Sequence, residues 1–281
     1  MNPINKISET AFLVNASRAR KVEISQDRYA RLWVSDATRE LWDDFASNVY
    51  AQDDQVVSVR TRYFLDHLNA FITSFESPVF INVGAGFTSY PFLIRQPCRC
   101  IEIDYEHIIH YKRNKITDWQ REGLLPPHQV EYFAADLNHP VQRERFKSQL
   151  AQWIDNHPSF ILLEGITYFL AKPVLRELLE AFSVVQCTDS LVGFDFWKPD
   201  IQTYPVFIRL QKYVAEKFGY KETQYNLFDE DFINSLLAYQ VEEITTVIEQ
   251  EIIYTQPPIL QDREKVLPEN YVILKKTEKS L

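Results

Sequence analysis

Two glycines spaced by one residue, Gly84 and Gly86, close the short apolar run Val79-Phe80-Ile81-Asn82-Val83. Acids follow at the ends of later apolar runs: Glu102 and Asp104, then Asp136, then Glu164. A Gly84-Ala85-Gly86 turn lets the backbone bend tightly and approach a ligand with no side chain between them. In a chain with only 6 glycines, such a pair is informative. Glu102 and Asp104 follow Gly84 by 18 and 20 residues, near the spacing of about 20 at which an acid meets ribose hydroxyls in nucleotide-binding folds. A carboxylate can accept two hydroxyl hydrogen bonds at once. Alternation puts Glu102 and Asp104 on the same strand face, and Asp104, at the strand end, is the better ribose ligand. Asp136 can accept from an adenine amino group. Ser89 occupies the position where a dinucleotide fingerprint has its third glycine, which disfavours a pyrophosphate at the helix start. A phosphate-free nucleoside ligand such as S-adenosylmethionine needs no such glycine.

The elements that would hold these residues alternate. Residues 7–75 read as helical, with apolar positions at three-and-four spacing such as Tyr63, Phe64, Leu68, Phe71 and Ile72. Strands are then expected at 79–83, 99–104, 130–135, 160–163 and 190–196, with helices at 105–122, 141–156 and from Pro173 onward. Nearly continuous apolar strands separated by helices imply parallel pairing and a sheet covered on both faces. Two helices, 204–218 and 229–238, and two strand candidates, 244–253 and 271–274, complete the pattern. The expected fold is α/β: a doubly wound, mostly parallel seven-stranded sheet with an N-terminal helical segment and a helical insertion after strand five. We read it as one domain over 1–281, made of a helical lid segment (1–77), a ligand-binding core (78–199), a helical insertion (200–240) and closing strands (241–281).

Composition excludes several classes. The net charge of −9 argues against a bare nucleic-acid binder. No run approaches the roughly 18 apolar residues of a membrane span, and no signal peptide is evident, so the expected compartment is the cytoplasm. Cys98, Cys100 and Cys187 are too few for a disulfide framework and read as free, buried thiols. Cys98 and Cys100 lack a second pair at zinc spacing, and no metal is assigned.

The segments Glu9-Thr10-Ala11 through Arg18-Ala19, Val59-Arg60-Thr61-Arg62-Tyr63-Phe64, Asn82-Val83-Gly84-Ala85-Gly86, Ile101-Glu102-Ile103-Asp104, Ala135-Asp136-Leu137 and Leu163-Glu164-Gly165 resemble the leucine carboxyl methyltransferase family. The likeness runs from about Thr10 to Leu178. It implies a class I, Rossmann-like O-methyltransferase using S-adenosyl-L-methionine. By the same resemblance Arg60, with Arg62 as second choice, and Arg18 would bind the methionine carboxylate. Gly84 and Gly86 would lie beside the methionine moiety, Asp104 would hold the ribose, Asp136 and Leu137 the adenine, and Glu164 the amino group's surroundings. A guanidinium suits a carboxylate because its fork donates paired hydrogen bonds. The family commonly follows G-A-G with an apolar residue, Asp, Ser and Arg, where this chain has Phe87, Thr88, Ser89 and Tyr90. A divergent bacterial-type member acting on a small molecule fits that departure.

Methyl transfer from a sulfonium is an in-line displacement, so alignment of the acceptor and exclusion of water are the main tasks. The acceptor would be a carboxylate or hydroxyl of a small molecule, with no nucleic acid or membrane involved. The oligomeric state is open. Tyr168 and Glu164 are the candidate catalytic residues, Thr167 stands beside them, and His107 and His110 are weaker candidate bases. A nicotinamide-dependent oxidoreductase on a similar sheet, and an adenosyl-binding protein without turnover, are the rival readings.

Overall fold

The computed structural model describes residues 6–218, 225–262 and 265–278. Four helices come first: α1 (Lys6–Arg20), α2 (Val22–Ser25), α3 (Asp36–Asn48) and α4 (Asp53–Thr73). Ser35 starts α3 through a reciprocal cap, its hydroxyl accepting from Thr38 N while Thr38 Oγ1 accepts from Ser35 N at 2.7 Å. α4 is buried along most of its length, polar residues such as Arg60 and Asn69 included, because it is enclosed between the other N-terminal helices and the sheet. Val56, Val59, Phe64 and Leu68 are wholly buried there.

The alternating region follows as β1 (Val79–Val83), α5 (Tyr90–Leu93), β2 (Arg99–Asp104), α6 (Glu106–Arg121), β3 (Val130–Ala134), α7 (Pro140–Ile154), β4 (Ser159–Leu163), α8 (Lys172–Val185) and β5 (Leu191–Phe196). Then come α9 (Pro205–Phe218), α10 (Glu230–Asn234), β6 (Tyr239–Thr246), α11 (Val247–Tyr254) and β7 (Asn270–Lys276). The strands order as β3-β2-β1-β4-β5-β7-β6, parallel except for β7, which pairs antiparallel with both β5 and β6. Strand order reverses between β1 and β4, which opens a crevice at their carboxyl ends. One face of the sheet packs Phe80, Phe160 and Ile273 against α4 and α9, and the other packs Ile81, Ile161 and Val192 against α7 and α8. The doubly wound α/β sheet of seven strands is the expected one.

Three local expectations are corrected. The strand candidate at 244–253 ends at Thr246, where β6 gives way to α11. Thr246 Oγ1 accepts from Glu249 N at 3.2 Å and Glu249 accepts in return from Thr246 N at 2.8 Å, a capping box legible in the T-x-x-E spacing. The helix expected over 229–238 closes after one turn and a half, at Asn234. Of the cysteines, Cys100 alone is buried, and Cys98 and Cys187 are half-buried.

Candidate active site

A cavity of about 330 Å³ opens at the carboxyl ends of β1 to β4. Its floor is Gly84, Ala85 and Gly86, with Asp104 at the end of β2, Asp136 and Leu137 after β3, and Glu164 after β4. Arg18 of α1 and Arg60 of α4 line one end.

The glycine turn is clamped to the neighbouring strand. Gly84 N and Ala85 N donate to Ile103 O at 2.8 and 3.0 Å. Gly86 N donates to Asp104 Oδ2 at 2.7 Å, and Tyr105 N to Asp104 Oδ1 at 2.7 Å. Burial pushes the Asp104 carboxyl up from its ordinary value, opposed by these two N–H groups. Each carboxylate oxygen keeps a lone pair for a ligand. Gly84 has φ +72°, and a Cβ there would come within 2.6 Å of Ile166 Cδ1. At Gly86, φ +44°, a Cβ would meet only Ala11 Cβ at 3.8 Å. The first glycine is required by packing, whereas the second keeps the cavity floor open.

Glu102 lies elsewhere. It is wholly buried beneath the turn, 2.8 Å from Lys112 Nζ of α6, and Lys112 also reaches Ala85 O at 3.4 Å. Burial raises the Glu102 carboxyl and lowers the Lys112 amine, and each opposes the other's shift by its charge. Glu102 therefore supports the turn from below rather than facing the ribose position, because its alternation face is covered by α6.

Behind the two arginines is a buried ionic cluster. Arg60 Nε donates to Glu164 Oε1 at 3.0 Å, and its Nη1 reaches Asp195 Oδ2 at 3.1 Å and Glu269 Oε1 at 2.6 Å. Arg18 Nε donates to Thr61 Oγ1 at 3.0 Å, and its Nη2 lies 3.6 Å from Glu164. Tyr90 donates to Glu164 Oε2 at 2.6 Å. Burial alone would raise the Glu164 carboxyl, yet Arg60, Arg18 and Tyr90 together hold it below its ordinary value. Asp195 also accepts from Gly165 N at 2.7 Å and from the Tyr168 hydroxyl. It thereby ties the turn after β4, where Gly165 has φ +70°, to Arg60.

Of the residues selected from sequence, Arg18, Arg60, Gly84, Ala85, Gly86, Asp104, Asp136, Leu137 and Glu164 surround one cavity. Arg62 does not join them. It sits one residue past the inward face of α4, pairs with Asp66 at 2.8 Å, and lies over the Tyr254 ring. Tyr168 is also outside the lining, buried against Asp195 and stacked on Trp197 with centroids 3.9 Å apart. Its hydroxyl cannot meet an acceptor there. His107 stacks on Tyr105 and His110 bonds Asn114, and neither lines the cavity. Sequence reasoning missed Asp195 and Glu269. An acid inside the apolar run Leu191–Phe196 was the available signal for the first, and Glu269 had no comparable one.

Comparison with known proteins gives the cavity a family. A structure from Thermobifida fusca YX, described as a candidate methyltransferase, superposes with a TM-score of 0.60 at 16% identity, covering 95% of this chain and 94% of that one. A DUF574 family protein from Streptomyces avermitilis MA-4680 superposes with a TM-score of 0.55 at 14% identity, covering 93% and 97%. At these identities the likeness is one of fold. A stretch of 105 residues is 31% identical to peptidyl-tRNA hydrolase of Clostridium tetani (strain Massachusetts / E88), covering 37% of this chain and 54% of that protein. The chain thus spans about half the length of that curated relative. The family model for leucine carboxyl methyltransferase matches residues 8–183, which include α1, α4, the glycine turn, Asp104, Asp136 and Glu164. The chain belongs to the leucine carboxyl methyltransferase family.

Proposed function

We propose that the protein is an S-adenosylmethionine-dependent O-methyltransferase that forms the methyl ester of a small carboxylic acid. The observation that carries this reading is the single cavity in which the open glycine floor, Asp104, Asp136 and the Arg18–Arg60 end converge. The residues fit the cofactor chemically. Asp104, aimed by Gly86 N and Tyr105 N, suits a ribose diol, and the space over Gly86 suits a ligand approaching the backbone. Arg18 and Arg60 suit a carboxylate, and Glu164 suits an ammonium.

When bound, S-adenosylmethionine supplies an electrophilic methyl carbon. Asp104, Asp136 and the Arg18–Arg60 end would hold it for transfer of that methyl to an acceptor oxygen, with the neutral thioether sulfur as the leaving group. A carboxylate acceptor is ionised near neutrality, so no proton has to leave it. A phenol or alcohol needs a base within about 3 Å or one water away. Among the described residues, the cavity lining has no imidazole, amine or thiol. Of the lining carboxylates, Glu164 is paired with Arg60 and Tyr90, Asp104 accepts from the turn, and Asp136 accepts from Asn138 N. The chain's own contribution is then to bind, align and exclude water, with α1 forming part of the cover.

Transfer of labelled methyl from S-adenosylmethionine to panels of small carboxylic acids and phenols tests this. The expected product releases its label as methanol in mild base. Label that resists base marks an ether and sinks the carboxylate reading.

A further inference from the structure

One end of the cavity is left over when the cofactor-binding residues are set aside. It is lined by Val14 of α1, Phe169 after β4, Val214 of α9, and Tyr225. None of these side chains carries charge near neutrality. They come from separate parts of the chain, and Val214 and Tyr225 are backed by the core formed with α4 and α9. Phe169 is 50% exposed, an unusual position for a phenylalanine on a structured turn. Asn138 Nδ2 donates to Phe169 O at 3.0 Å and fixes that turn at the cavity rim. The Phe169 ring lies 5.8 Å from Tyr225, which is braced by Trp197 at 5.4 Å and Phe207 at 5.6 Å. Aromatic rings rigidly backed on one side and open to a cavity on the other are the surface an apolar ligand covers.

Resting on the methyltransferase reading above, we propose that this end is the acceptor subsite and that the acceptor is a monocarboxylic acid with an uncharged alkyl or aryl body. Its body covers Phe169, Val14 and Val214, while its single carboxylate faces the cofactor. Arg18 and Arg60, the cations of the lining, stand at the end given to the cofactor's carboxylate and also pair with buried acids, so neither faces the acceptor body. A second charge on the acceptor body would lie against apolar walls with no counter-ion, which opposes its transfer from water. Phe169 and Val214 are then specificity-determining residues for the reaction. The Phe169 ring stands half in water, so its truncation leaves the core intact.

Titration calorimetry on the protein saturated with S-adenosylhomocysteine tests the subsite, using octanoate and succinate as probes. Octanoate is expected to bind at least about tenfold more tightly than succinate. Phe169→Ala is expected to weaken octanoate about fivefold, by loss of apolar contact, while S-adenosylhomocysteine binding stays within about twofold. Succinate binding as tightly as octanoate, or octanoate binding untouched by Phe169→Ala, overturns the subsite. Failure of the wild-type protein to bind S-adenosylhomocysteine overturns the underlying reading, and the subsite with it.

Discussion

The guanidinium of Arg60 on α4 lies 3.0 Å from the carboxylate of Glu164 at the end of β4, with both side chains almost wholly buried. This pair joins the N-terminal helices to the cofactor crevice. Asp195 and Glu269 crowd the same guanidinium. A buried guanidinium surrounded by three carboxyl groups is costly to disrupt, because its removal leaves the ionised ones without a counter-ion. Arg60→Ala is expected to destabilise the fold by about 3 to 5 kcal/mol in urea unfolding. Arg60→Lys should recover little of this, since one ammonium cannot match partners held by Nε and Nη1 together. Full recovery by lysine would show that charge alone matters at this position.

Asp195 has a different part. Its carboxylate accepts from Gly165 N and from Arg60, both of whose residues line the cavity, while Asp195 itself does not. It acts as a positioning residue. Asp195→Asn keeps the shape and one acceptor oxygen but loses the ion pair. Affinity for S-adenosylhomocysteine should fall about tenfold, equivalent to about 1.4 kcal/mol, with the melting temperature changed less than in Arg60→Ala. Unaltered affinity in calorimetry would refute the positioning role.

Glu269 sets a pH dependence. Burial, opposed by Arg60 and reinforced by Asp195, Asp53 and Glu164, pushes its carboxyl from an ordinary 4.5 up to about 8. The folded protein therefore keeps a proton that the unfolded chain releases between those two values. Stability falls as pH rises through that window, because the folded state binds more protons than the unfolded one. Asp195, also raised by burial, adds in the same direction. Relative to Glu269→Gln, the wild type should lose melting temperature from pH 5 to pH 8, on top of the opposite contribution of His67 and His128, whose imidazoles are lowered by burial. Identical pH profiles of the two proteins contradict the assignment.

The two glycines of the turn should separate in their effects. Gly84→Ala combines a left-handed φ with a 2.6 Å contact to Ile166, so a loss of at least about 2 kcal/mol in unfolding free energy is expected. Gly86→Ala bears the backbone strain of about 1 to 2 kcal/mol without a steric clash. Its methyl group takes up space on the cavity floor, so weaker S-adenosylhomocysteine binding is its distinguishing signature. Equal binding by wild type and Gly86→Ala would place the ligand away from the floor.

The fold was legible because the parallel strands are short apolar runs with punctuation at their ends. Gly84-Ala85-Gly86 after β1 and Asp104 after β2 follow directly from that rule. Period-two alternation assigns Glu102 a face and says nothing of what covers that face. Here α6 brings Lys112 onto that face, ten residues later in the chain. Arg60 and Arg62 could not be ranked by spacing alone, since the helical turn that carries one inward carries the other toward Asp66. Tyr168 failed as a candidate for a related reason. Its place just after β4 was readable, but the stacking on Trp197 that turns its ring inward is a long-range contact. The role of Glu269 depends on β7 returning antiparallel beside β5, a closure invisible from the local sequence.

This cavity is proposed to bind an adenosyl cofactor through Asp104. The most direct measurement is titration calorimetry of wild type and Asp104→Ala with S-adenosylhomocysteine, and of wild type with NADPH. One-to-one binding by wild type, affinity lower by about 1 to 3 kcal/mol in a folded Asp104→Ala protein, and no heat with NADPH are expected. Binding of NADPH without S-adenosylhomocysteine, or equal S-adenosylhomocysteine affinity in the two proteins, would contradict it.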